Sequence, residues 1–100
     1  MVSETEIRDA LQRERAQIAA LLGQLNKAKT PQLCQQLKLA SGTLDIVDDC
    51  ISKARLAEPR TASALAWWLA QTCNLLAIAE AQTKYVADVV AKVGPDIVEF

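Results

Sequence analysis

Histidine is missing from the chain, and that absence removes the commonest general base, the usual partner of a reactive cysteine and the commonest metal ligand. Glycine and proline occur three times each, too sparsely for a phosphate-cradling loop. Aromatic side chains make up 4% of the residues against 51% apolar overall, so any core must be built from aliphatic side chains and alanine. Eleven basic and twelve acidic residues leave a formal charge of -1, without the positive field that tracks a phosphate backbone or an anionic lipid surface. Nucleic acid is therefore not an expected partner. No nucleophile motif is present, and the expectation is a protein that is not an enzyme and holds no cofactor and no metal.

The three cysteines Cys34, Cys50 and Cys73 contain no CxxC pair, and an odd count does not suit a secreted disulfide scaffold. Reduced, mostly buried thiols are expected. The start, Met1 to Glu4, has neither the basic nor the apolar stretch of a secretion signal, which makes a cytoplasmic protein the expectation. Asp45, Asp48 and Asp49 share the polar side of a helix and read as a solvated face rather than a cation site.

What is present is helical periodicity over one 100-residue domain. Ser3 to Glu6 has the form of a capping box, and Ile7, Leu11, Ile18, Leu21, Leu22 and Leu25 follow at helical spacing, predicting a helix over about 4–28 with Lys27 and Lys29 in its last turn. Thr30 and Pro31 offer a cap and a first helical residue. From there Leu33, Leu37, Ala40, Leu44, Val47, Ile51 and Ala54 alternate steps of four and three, a coiled-coil-like seam predicting a continuous helix over about 31–57 through Ser41 and Gly42. Pro59 stops it, and a third helix over about 60–93 ends at Gly94 and Pro95, leaving a short apolar tail. Short connections between long helices predict an all-α, up-down-up bundle of three helices.

The third helix carries two apolar faces. Leu65, Trp68, Thr72, Leu75, Ala79, Val86, Val89 and Val93 form the seam expected to meet the other helices, with Trp68 as the core tryptophan. Trp67, Asn74, Ile78, Ala81 and Tyr85 form a second stripe about 100° away. Helix lengths of about 38, 40 and 50 Å further predict that helix three overhangs at its valine-rich C-terminal end, baring Tyr85, Val86, Val89, Val90 and Val93 unless the tail or another chain covers them. Glu14 and Gln82 fall in the apolar phase and are expected at its margin, with their heads wet.

These features predict a protein-protein interaction module that self-associates, as a homodimer, through the outer face of helix three. Its binding residues are Trp67, Asn74, Ile78, Tyr85, Val89, Val90 and Val93, with Trp67 and Tyr85 as anchors. Two rival readings follow from the same residues. One is a small inhibitor or regulator, of the kind phages and plasmids carry, that docks on a larger protein machine and blocks its substrate site. The other is membrane insertion through the uncharged residues 61–79, which the alanine-rich composition and Ser63, Gln71, Thr72 and Asn74 disfavour.

Overall fold

The computed structural model describes residues 3–56, 61–94 and 97–99. Among them lie three helices and no strand: α1 over Glu4–Gln24, α2 over Pro31–Leu56 and α3 over Ala62–Val93. The helices form the expected bundle. Its extents of 52 × 20 × 17 Å and radius of gyration of 15.9 Å exceed the roughly 13 Å of a spherical domain of this size, so the molecule is a rod.

Helix α1 starts where its cap dictates, with the Ser3 hydroxyl accepting from the Glu6 amide. It stops one turn earlier than its composition suggests, because Leu25 is extended at φ -90°, ψ 142° and Asn26 organises a turn. The Asn26 side chain accepts from the Ala28 amide, and its carbonyl accepts from the Lys29 and Thr30 amides and the Thr30 hydroxyl. Asparagine's short amide competes with the helix ladder here, and Lys27 and Lys29 consequently sit in the connection rather than in a last helical turn.

Helix α2 runs unbroken through Ser41 and Gly42, and its seam behaves as its spacing implies: Leu33, Leu37, Ala40, Leu44, Val47, Ile51 and Ala54 are all buried. Its N-terminus, however, is not capped by the neighbouring Thr30, whose hydroxyl is turned to the Asn26 carbonyl. The acceptor is Glu99, which reaches across from the far end of the chain. Its two carboxylate oxygens accept from the Gln32 and Leu33 amides at 2.8 Å each, and its own amide donates to the Lys29 carbonyl. A carboxylate at a helix N-terminus satisfies orphan amides and opposes the helix dipole at once.

Helix α3 opens with the Thr61 hydroxyl accepting from the Ala64 amide and closes at Gly94, whose φ of 93° is a conformation glycine adopts without strain. Residues 57–60, on which the expected ends of α2 and α3 partly fall, lie outside the described residues. The buried line of α3 is Thr72, Leu76, Ala79, Thr83, Val86 and Val90, a strict alternation of four and three. It shares Thr72, Ala79 and Val86 with the expected seam. Leu65, Trp68, Leu75 and Val89 are half-buried flanks instead, and Val93 is exposed. Thr83, absent from the expected seam, disguises this line in the sequence, and Thr72 shares its chemistry. Each donates its hydroxyl back to the carbonyl four residues earlier, Thr72 to Trp68 and Thr83 to Ala79, and so enters the core without an unmet donor.

Helix α1 packs parallel to α3 and antiparallel to α2, held by Ile7, Leu11, Ile18 and Leu21 in the core and by Arg8–Asp48 and Arg15–Asp45 ion pairs at 3.6 and 2.9 Å. These exposed pairs are worth under about 1 kcal/mol each but fix on which side of α2 the first helix lies. Glu14 sits beside Thr83 and Glu80. Counting back ten residues from that level places the start of α1 roughly level with residues 70–73 of α3. The overhang of α3 is therefore at its N-terminal end, the reverse of the expectation. No residue from 61 to 71 is fully buried, whereas the C-terminal end is closed by Ile97, which returns into the core beside the α1–α2 turn. Val86 and Val90, both expected in the overhang, are buried, at 0% and 8% exposure.

Glu99→Ala should lower the unfolding free energy by about 1 kcal/mol, the usual worth of a helix N-cap, as read by denaturant titration. Glu99→Gln should lose less, since an amide oxygen still accepts one hydrogen bond.

Candidate protein interface

The ion pairs to Asp45 and Asp48 and the contact with Thr83 and Glu80 place α1 on one side of the α2–α3 hairpin. Among the described residues no third helix lies on the other side. On it α3 presents Trp67, Ile78 and Tyr85 at 55%, 51% and 58% exposure, with Asn74 and Ala81 also exposed, and α2 contributes Leu39 and Ile46, each about half exposed. The second stripe read from the sequence thus lies in solvent, and it is wider than that reading, because Leu39 and Ile46 join it from the neighbouring helix. Seven-residue spacing was the available signal for this pair, masked by the dominant seam of α2.

The face is uncharged over its central length. Gln32, Gln36 and Thr43 line its α2 side and Gln71, Asn74 and Gln82 its α3 side, while the charges at its border are paired, Asp49 with Lys53 at 3.7 Å beyond Ile46 on α2 and Lys84 with Asp88 at 2.8 Å on α3. Depletion of charge around aromatic and aliphatic side chains is the compositional mark of the centre of a protein interface. A groove between the helices, lined by Gln32, Leu33, Gln36, Tyr85, Val89, Ile97 and Glu99, continues past Ala81 and Gln82, so Tyr85 forms a ridge beside a cleft.

The binding residues inferred from sequence divide accordingly. Trp67, Asn74, Ile78 and Tyr85 lie together on this face, and half-buried Val89 lines its groove. Val93 is exposed at the end of α3. Val90 is not on the face at all: it belongs to the buried line of α3, because steps of four and three from Ala79 lead to Thr83, Val86 and then Val90.

At the uncovered end the adjacent Trp67 and Trp68 rings meet edge to face, centroids 4.8 Å apart and planes at 82°. Trp68 is half-buried there rather than a core residue, since α1 does not extend far enough to enclose it. Helix α3 is also long and apolar enough to cross a membrane by length and composition alone.

Among the described residues no group of three or more histidine, cysteine, aspartate or glutamate side chains is placed to hold a metal, and Cys34, Cys50 and Cys73 are free thiols, the first two buried. Glu14 and Gln82 are less wet than their marginal positions suggest: Glu14 Oε2 and Gln82 Oε1 are enclosed and accept no hydrogen bond from the protein. Burial pushes the Glu14 carboxyl above its ordinary range, the Glu80 carboxylate adds to the rise, and the Thr83 hydroxyl and Arg13 oppose it.

No family model, curated protein or solved structure matches the chain.

A carboxyl whose folded pKa is raised favours the fold when protonated, and that contribution is lost as pH rises through the folded value. Glu14→Gln should accordingly raise the thermal midpoint at pH 7, with the advantage shrinking as pH falls through the ordinary carboxylate range. An unchanged difference between pH 7 and pH 4 would show that Glu14 is not held in this state. Trp68→Ala should cost about 2 kcal/mol, less than the 3–5 of a fully enclosed tryptophan, and Trp67→Ala less again.

Proposed function

We propose that this chain is a non-catalytic protein-protein interaction module that self-associates through the face of the α2–α3 hairpin turned away from α1. The observation that carries the reading is the uncharged, half-exposed band of Trp67, Ile78, Tyr85, Leu39 and Ile46. Single exposed apolar residues are ordinary on a protein surface, whereas several on one face, two of them aromatic, make the kind of surface that association removes from water. Tryptophan and tyrosine suit this role because each buries a large rigid area while keeping a polar handle. A cytoplasmic protein acting through protein contacts, with neither cofactor nor nucleic acid, is the form this function takes.

Two alternatives use the same surface. A docking regulator would present this band to a larger heterologous protein and remain a monomer by itself. Membrane insertion is favoured by the length and apolar character of α3. Against it, the helix packs Thr72 and Thr83 into a bundle core shared with α2.

Sedimentation equilibrium of the full chain from micromolar to hundreds of micromolar should show a concentration-dependent dimer. Trp67→Ala and Tyr85→Ala should each weaken it at least tenfold, about 1.4 kcal/mol, with little effect on the unfolding midpoint. A monomer throughout that range removes self-association and leaves the docking reading. Retention in membranes after carbonate extraction supports insertion instead.

A further inference from the structure

The exposed stripe of α3 is symmetric in residue size as well as in spacing. Trp67 and Tyr85 stand equally far from Leu76, in opposite directions along the helix, and Asn74 and Ile78 do the same closer in. On α2, Leu39 and Ile46 are placed equally about Gly42 and Thr43. The helices are antiparallel, and Gln36 lies beside Ala81 and Gln82, so counting along both brings Gly42 and Thr43 level with Leu75 and Leu76. The two stripes, on different helices, share one centre.

Gly42 sits at that centre. It occupies the interior of a 26-residue helix, has no positive φ, and a Cβ built on it would meet nothing within 4 Å. Nothing in the protomer requires glycine there, although glycine weakens a helix interior. What glycine does permit is close approach of a second backbone.

We infer that the occupant of this face is a second copy, packed antiparallel about a twofold axis level with Leu76 and Gly42, so that α3 lies on the partner's α3 and α2 on its α2. The inference rests on the self-association reading and gives it a geometry. Symmetry makes the surface its own complement: Trp67 meets the partner's Tyr85, Ile78 meets the partner's Asn74, and Leu39 meets the partner's Ile46. An uncharged centre suits a copy of itself, because any charge there would face a like charge near the axis. The size is sufficient. Trp67 and Tyr85 are about 27 Å apart along α3, and a face two helices wide over that length is on the order of the 800 Å² per partner of a stable dimer once side-chain relief is counted.

Two measurements on the full chain test the geometry. Gly42→Leu should fold like the wild type, because the position is open in the protomer, and weaken dimerisation at least tenfold by sedimentation. Gly23→Leu, equally open but on α1, should leave the dimer unchanged. In the second, Gln71→Cys and Ala81→Cys chains are mixed and treated with a short thiol cross-linker, with the linked cysteines identified by peptide mapping. The antiparallel arrangement links position 71 to position 81 of the other chain and does not link either variant to itself, since identical positions stand about 15 Å apart along the axis. Each variant linking to itself would overturn the inference in favour of a parallel pair, as would a dimer indifferent to Gly42→Leu. A chain that stays monomeric in sedimentation overturns the underlying reading as well, so the two failures are distinguishable.

Discussion

The contact between α2 and α3 is the interaction on which the rest of the molecule depends. Seven buried positions of α2 and six of α3 alternate in steps of four and three, so the two helices can run side by side for most of their length without their apolar lines rotating apart. The α1 helix is an addition to this hairpin. At 21 residues against 32 in α3, it covers only the part of the hairpin it can reach. The bare tryptophan end follows from that mismatch, since α1 has not yet begun there, and the broad exposed face follows from α1 lying on the other side of the hairpin.

The two ends of the bundle are finished differently. At the valine-rich end the tail folds back, Ile97 enters the core, and Glu99 binds the first amides of α2. One short segment thereby closes the seam and caps a helix, joining parts of the chain more than sixty residues apart. The opposite end has no such return among the described residues, and there the Trp67 and Trp68 rings meet edge to face with Trp67 left exposed. The exposed apolar stripe from Trp67 to Tyr85 spans from the unfinished end to the finished one.

Polar groups inside the bundle divide by whether they carry their own acceptor. Thr72 and Thr83 are buried at little cost because a helix supplies a carbonyl four residues back. Glu14 has no such recourse, and its carboxyl is held above its ordinary range as a result. This contrast explains why apolar periodicity located the core of α2 so well and drew that of α3 a little off line. In α2 every seam position is aliphatic or alanine, whereas in α3 two of six are threonine, and a reading by hydrophobicity passes over Thr83 and takes Leu75 and Val89 in place of Leu76 and Val90.

The amino-acid sequence by itself determined the three helices, their up-down-up order, the α2 seam, the Ser3 and Gly94 boundaries and the second apolar stripe of α3, because caps, glycine stops and residue period act within a few residues of chain. Only the tertiary structure decided which end of α3 is bare, that Glu99 rather than Thr30 caps α2, that Asp45 and Asp48 hold α1, and that Leu39 and Ile46 extend the exposed face. Each of those depends on the register between helices. Register is set by the summed packing of many side chains and by a single turn at Asn26, and no local spacing encodes it.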